Sequence, residues 1–70
     1  MERTNVKSTD LSSIGYDELN LILEIEFNSG GVYRYFAVPK EIFDSLMSAS
    51  SHGKFFNANI KNRFKYDKVC

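Results

Sequence analysis

The segment from residue 19 to residue 27 constrains the fold more than any other, because every second residue in it is a large apolar one. The apolar residues at the odd positions are Leu19, Leu21, Leu23, Ile25 and Phe27. Three of the four even positions hold Asn20, Glu24 and Glu26. Side chains of a β-strand alternate between its two faces, so this period of two predicts a half-buried strand with one apolar and one charged face.

A hairpin and a third strand are predicted around this segment. Residues 28–31 read Asn-Ser-Gly-Gly and tolerate the positive φ angles of a tight turn, and residues 32–38 are rich in β-branched and aromatic side chains. Upstream, residues 11–16 have the composition of a shorter strand, and Asp17 and Glu18 turn the chain into the next one. We therefore expect a three-stranded antiparallel β-meander.

Two helices are predicted to follow the meander. Pro39 suits the first turn of a helix, where its missing N–H is not needed, and we expect this helix to end between residues 48 and 53. Ser50 or Ser51 then caps a second helix. The apolar faces of the two helices are Ile42, Phe43, Leu46 and Met47 in the first and Phe56, Ile60 and Phe64 in the second. Residues 66–69 form a short final strand or an ordered tail, and the fold class is α+β with both helices on one face of the sheet.

The length and residue content limit the classes of protein and site. At 70 residues the chain forms one small domain, residues 1–70. Cys70 is the single cysteine, which excludes an intrachain disulfide and a cysteine-based zinc site. Because the chain has one histidine and no partner for it, we expect no cofactor, no metal and no enzyme activity. Without a signal peptide or a long apolar run, we expect a cytoplasmic protein that does not enter a membrane.

The charges are segregated along the chain although the formal net charge is zero. Residues 1–51 carry four Lys/Arg against eight Asp/Glu, whereas residues 52–70 carry five Lys/Arg against Asp67 alone. On a continuous second helix, Lys54, Lys61 and Lys65 align on the side away from the apolar stripe, and Arg63 and Lys68 extend the patch. Such a patch is either an ordinary solvated helix face or a site for the phosphates of a nucleic acid.

Tyr33 and Tyr35 are the second candidate, and the register of the hairpin decides where their rings lie. If Phe27 pairs with Val32, both rings lie on the charged face and are exposed. If a three-residue loop pairs Phe27 with Gly31, both rings join the apolar face. The rings are then either a stacking platform for unpaired bases or a wall of the core.

The order of these features resembles the KTSC domain family, small domains found at the C-terminus of some lysyl-tRNA synthetases and as stand-alone bacterial and phage proteins. The resemblance spans nearly the whole chain and is carried by Ser12-Ser13, Gly15-Tyr16-Asp17, residues 23–27, Gly31, Tyr33-Arg34-Tyr35, Val38-Pro39, Ser50, Gly53-Lys54-Phe55-Phe56-Asn57 and Ile60. It implies a connection with RNA and supplies no catalytic residues.

The leading hypothesis is a small accessory module that binds RNA through the basic second helix and the strand tyrosines. Its site would comprise Lys54, Lys61, Arg63, Lys65, Tyr33 and Tyr35. The alternative is a protein-interaction module or homodimer, which uses an edge strand or the open face of the sheet and binds no nucleic acid.

Overall fold

A computed structural model describes all 70 residues as one α+β domain in which a five-stranded sheet carries two helices. The elements in chain order are β1 (Arg3–Asn5), β2 (Leu11–Asp17), β3 (Ile22–Phe27), β4 (Val32–Tyr35), α1 (Lys40–Ser48), α2 (His52–Asn59) and β5 (Tyr66–Lys68). The strands lie in the order β1-β2-β3-β4-β5 and every neighbouring pair is antiparallel. The α+β class and the two helices are confirmed, while the three-stranded meander undercounts the sheet by its two edge strands. Neither α1 nor α2 has the length and apolar content of a membrane-spanning helix.

The turn between β2 and β3 shortens the strand predicted from residue 19. The Asp17 carboxylate accepts hydrogen bonds from the backbone N–H groups of Leu19 and Asn20 and from the Asn20 side chain, at 2.8 to 3.2 Å. Leu21 has a φ of 56°, and Leu19 is 94% exposed. The predicted start of the strand at Leu19 is therefore wrong, because local hydrogen bonds to Asp17 hold residues 18–21 in a turn.

The β3–β4 hairpin takes the second of the two registers left open by the sequence. Phe27 donates its N–H to the Gly31 carbonyl at 2.9 Å, which closes a three-residue loop. Tyr33 consequently lies opposite Ile25, and Tyr35 lies opposite Leu23. Both tyrosines are therefore on the apolar face of the sheet.

The second helix is shorter than its apolar repeat predicts. The Ser51 hydroxyl accepts the Lys54 N–H at its start, as expected for a cap. At the other end the helix stops at Asn59, and residues 60–64 form a turn in which Asn62 has a φ of 65°. The predicted helical alignment of Lys54, Lys61 and Lys65 is therefore wrong, since only Lys54 is in the helix.

Both helices pack on the same face of the sheet and bury one core there. The fully or nearly fully buried members are Leu11, Ile14, Leu23, Ile25, Tyr35, Val38, Leu46, Phe56 and Ile60. At one end of this core the Tyr16 ring stacks on Phe43 with centroids 4.7 Å apart, and the Tyr16 hydroxyl donates to the Val38 carbonyl at 2.6 Å. This layer fixes the positions of the strand residues that face the helices.

The opposite face of the sheet carries a row of residues that crosses all five strands. In register, Arg3 lies beside Gly15, Gly15 beside Glu24, Glu24 beside Arg34, and Arg34 beside Asp67. Glu24 is 4% exposed and accepts hydrogen bonds from Arg3 at 2.6 Å and from Arg34 at 2.7 Å. The Arg3 side chain passes over Gly15 to reach Glu24. A Cβ added at Gly15 would lie only 3.0 Å from the Arg3 Cγ.

Candidate functional site

A cavity lined by aromatic and polar residues lies between the helix-covered face of the sheet and α2. Its volume is about 550 Å³, within the range of small-molecule sites. Its wall combines aromatic and polar residues: Thr9, Asp10, Phe27, Asn28, Ser29, Tyr33, Tyr35, Phe56, Asn57, Lys61, Asn62 and Tyr66. We refer to this space as the aromatic cavity.

Five aromatic side chains of the wall form a closed circuit of neighbouring rings. Going around it, the ring centroids are separated by 5.5 Å from Phe27 to Tyr33, 5.8 Å from Tyr33 to Tyr66 and 5.6 Å from Tyr66 to Tyr35. The circuit closes with 5.4 Å from Tyr35 to Phe56 and 5.3 Å from Phe56 to Phe27. Interplanar angles of 34° to 80° show that neighbouring rings are tilted or meet edge to face, so the circuit is not a flat stack.

Strand register brings four of these rings together, and the helix supplies the fifth. Tyr33 and Tyr35 share a face because they are two residues apart in β4. Tyr66 lies directly opposite Tyr35 where β5 pairs with β4, and Phe27 ends β3 on the same face. Phe56 projects from α2 onto this group.

The rings differ in depth. Tyr35 and Phe56 are each 5% exposed, Tyr33 and Phe27 are half-buried, and Tyr66 is 54% exposed. Burial, together with the neighbouring phenols of Tyr66 and Tyr33, raises the pKa of Tyr35 to about 12. Its hydroxyl therefore stays protonated at neutral pH and remains a hydrogen-bond donor as well as an acceptor.

The structure brings together three of the six residues predicted as the binding site. Tyr33, Tyr35 and Lys61 all line the aromatic cavity. Arg63 and Lys65 line an adjoining depression that shares Asn62 and Tyr66 with the cavity, and its other lining residues are Phe36, Phe64 and Asp67. Lys54 lies in the first turn of α2 and lines neither space.

The turn after α2 explains why Lys61 faces the cavity. The helix closes with both Ile60 and Lys61 donating to the Phe56 carbonyl at 2.9 Å. The Arg63 Nε–H donates to the Ala58 carbonyl at 3.0 Å, which satisfies a free carbonyl at the helix end. Arg63 therefore holds the turn together in addition to carrying charge.

Sequence reasoning missed Asp10, Phe27, Phe56, Asn57 and Tyr66 as members of the wall. Phe27 and Phe56 carried a signal, since both fall on predicted apolar faces, but the same signal describes core residues. Tyr66 becomes part of the wall only because β5 pairs with β4, and no periodic pattern in the sequence predicts that pairing. The polar members come from three connecting segments, at residues 9–10, 28–29 and 61–62, and from the exposed helix position Asn57.

His52 has a structural contact. Its Nδ1 lies 2.8 Å from the Leu46 carbonyl, and because a carbonyl only accepts, the Nδ1–H is the donor. This bond ties the start of α2 to α1. Nowhere do three or more His, Cys, Asp or Glu side chains gather as they would around a metal ion.

Comparison with known proteins gives consistent matches over most of the chain. The sequence profile of the KTSC domain matches residues 7–64. A crystal structure of a KTSC domain protein from Yersinia pestis superimposes with a TM-score of 0.97 at 42% identity, covering 99% of this chain and 97% of that one.

Two sequence relatives show the contexts in which similar chains occur. An uncharacterized protein of Stutzerimonas stutzeri is 43% identical over 70 residues, which is 99% of both chains. A lysine–tRNA ligase of Nostoc punctiforme is 39% identical over 59 residues, covering 84% of this chain and 10% of the ligase. Similar chains thus occur both alone and as a small part of a larger protein.

Proposed function

Since the chain belongs to the KTSC domain family, we propose that it is a small accessory module that binds single-stranded RNA at the aromatic cavity and the basic turn beside it. The basic turn comprises Lys61, Arg63 and Lys65. The lysine–tRNA ligase relatives support RNA as the partner, because a tRNA is what those enzymes act on. The proposal for this chain rests on its own geometry as well.

The observation that carries the proposal is that Lys61 shares one cavity with Tyr33 and Tyr35. Single-stranded RNA offers flat bases joined by charged phosphates, and its sites combine aromatic rings with cations at short spacing. Arg63 and Lys65 lie in the adjoining depression, so cations continue away from the rings. An RNA strand with one base near the tyrosines would have its neighbouring phosphates beside the basic turn.

The placement of the two glutamates of β3 supports the proposal, whereas Asp10 in the cavity wall and Asp67 in the adjoining depression put carboxylates near the proposed phosphates. Glu24 and Glu26 lie on the sheet face opposite Tyr33 and Tyr35, because they occupy alternate positions in β3. Glu24 is paired with two arginines, and Glu26 accepts the Ser13 hydroxyl at 2.9 Å. These carboxylates therefore do not sit beside the rings, where they would repel phosphates.

An NMR titration of the labelled domain with a short single-stranded RNA tests the proposal. We expect amide shifts at the cavity and the basic turn at low salt, weakening steeply at physiological salt because each neutralised phosphate releases counterions. The variant Lys61→Ala/Lys65→Ala should lose at least about tenfold in affinity and flatten the salt dependence. Lys7→Ala/Lys54→Ala is the matched control, since it also removes two exposed lysines and neither lines the cavity or the adjoining depression. Absence of shifts at low salt would overturn the proposal.

A second candidate function is association through the sheet edges, with another protein or with a second copy of this chain. The observation in its favour is that all three residues of β1 and all three of β5 are exposed. An exposed edge strand can pair with another chain, although short edges limit the ladder that forms. Sedimentation at millimolar protein concentration tests the homodimer, and a strict monomer contradicts it.

A further inference from the structure

The depth of the aromatic cavity separates it from an open stacking platform. Tyr35 and Phe56 form its floor at 5% exposure, whereas the Tyr66 ring stands at its mouth at 54% exposure. A flat group entering past Tyr66 would lie against these rings, whose neighbouring centroids are only 5.3 to 5.8 Å apart and leave no space between them. A cavity of about 550 Å³ accommodates a single base rather than a continuous run of stacked bases.

The polar part of the wall is suited to the edge of a base. Asn57 and Asn62 carry amide groups, which offer both donors and acceptors, and Asp10 adds an acceptor. Nucleobase edges also combine donors and acceptors, and proteins read unpaired bases through such contacts together with stacking. The rings and the amides therefore match the faces and the edge of one base.

We propose that the aromatic cavity is a pocket for one unpaired base of a single-stranded RNA, entered past Tyr66, with Lys61 directed to the flanking phosphate. This inference rests on the proposed function and adds that recognition uses one inserted base. Phosphate contacts at the basic turn bind any sequence, whereas the pocket requires a base. The cavity volume of about 550 Å³ leaves space for the ring and part of its sugar.

The wall carries one cation and one carboxylate, so its charge does not by itself choose between a base and the other common guest of aromatic sites. Rings arranged around a space also bind quaternary ammonium groups through cation–π attraction. Here the Lys61 ammonium group attracts the phosphate attached to a nucleotide, whereas the Asp10 carboxylate in the same wall attracts a cation. A trimethylammonium group is accordingly the competing guest that the experiment must include.

The test compares two five-nucleotide RNA backbones, one with abasic sugars throughout and one with adenine at the central position alone. We expect the base-bearing backbone to bind at least about tenfold more tightly, the effect of stacking one base. Amide shifts unique to it should fall at Tyr33, Tyr35, Asn57 and Tyr66. A single base per backbone prevents the chain from sliding to another base.

Substitutions at Tyr66 connect this difference to the cavity. Tyr66→Phe keeps a flat ring and should retain the tenfold difference, while Tyr66→Leu keeps an apolar side chain without the ring and should reduce it at least about threefold. Because the Tyr66 side chain is largely exposed, both variants should remain folded, which their amide spectra would show.

The remaining outcomes distinguish failure of the base pocket from failure of RNA binding as a whole. Equal affinity for the two backbones overturns the base pocket and leaves charge-driven RNA binding at the basic turn in place. Absence of binding by either backbone at low salt overturns both proposals. Shifts at the cavity with choline but none specific to the adenine overturn the pocket in favour of a cation site.

Discussion

Glu24 is almost fully buried, yet the guanidinium groups that hold it are partly in water, with 31% of the Arg3 side chain and 44% of the Arg34 side chain exposed. Burial alone would raise the pKa of this carboxyl, but hydrogen bonds from Arg34 and Arg3 outweigh it and lower the pKa below the ordinary value. Arg3 also donates to the Ser13 hydroxyl at 2.9 Å. One carboxylate therefore connects an edge strand to the middle of the sheet.

We predict that Glu24→Gln lowers the free energy of unfolding at pH 7 by about 1.5–3 kcal/mol, the range for hydrogen bonds to charged groups. Because the pKa of Glu24 is lowered by folding, its stabilisation is complete above the ordinary carboxyl pKa and is lost as the pH falls through the lowered value. Urea unfolding at pH 7 and at acid pH should show the two proteins converging at acid pH. Glu26→Gln is the control, since that carboxylate accepts from Ser13 and has no arginine partner. A difference that does not change with pH would contradict the assignment.

The elements with a clear period or cap were predictable, and those that depend on one distant contact were not. Alternation predicted β3, and Pro39 and the serines before α2 marked the helix starts. By contrast, β1 has three exposed residues and no apolar alternation, and it is held by backbone pairing with β2, by Arg3 and by the close approach that Gly15 allows. The end of α2 depends on a left-handed Asn62 and an arginine cap, and neither interrupts the apolar repeat. This is why the sequence predicts Lys61, Arg63 and Lys65 on a helix that ends before them.

Gly15→Ala should detach or displace β1. The added Cβ would lie 2.6 Å from the Glu2 carbonyl oxygen, a backbone atom that moves only with the strand. We expect a loss of about 1–3 kcal/mol in the free energy of unfolding and faster hydrogen exchange at Val6, whose N–H donates to the Ser12 carbonyl. Urea unfolding and amide exchange measure the two effects.

Gly53→Ala is the matched control for that substitution. There the added Cβ would meet the Asp10 carboxylate, also at 2.6 Å, but this is the far end of a flexible side chain. Alanine also favours the helix over glycine by up to ~1 kcal/mol. The control should therefore be close to neutral, and a larger loss at Gly53 than at Gly15 would refute the explanation.

At the scale of the whole molecule, one core on one face of the sheet stabilises a chain without a disulfide. A single core in a domain of this size supplies only about 3–5 kcal/mol of unfolding free energy. The sequence predicted which helix faces contribute to this core. It could not predict the aromatic cavity, because the cavity exists only where β5, the turn after α2 and the end of β3 meet.

Leu46→Ala and Leu19→Ala form a pair that measures how much rests on the core. Leu46 is 0% exposed and Leu19 is 94% exposed. We expect the first substitution to cost about 2–5 kcal/mol and leave a large unfolded fraction at 25 °C, and the second to stay within about 0.5 kcal/mol. Urea unfolding measures the stability of both variants. Similar free energies of unfolding would contradict the assignment of Leu46 to the core.

The circuit of five rings joins the β3–β4 hairpin to α2 and β5, which come much later in the sequence, so it exists only in the folded chain. Any compound that fills the aromatic cavity must bind the native state alone. Mass action then raises the melting temperature of the domain whatever the chemistry of the compound. At a hundred times its dissociation constant, such a compound adds about 2.7 kcal/mol, comparable with the entire stability of a domain this small. Thermal-shift screening of nucleotides and metabolites therefore offers an unusually sensitive route to the natural ligand.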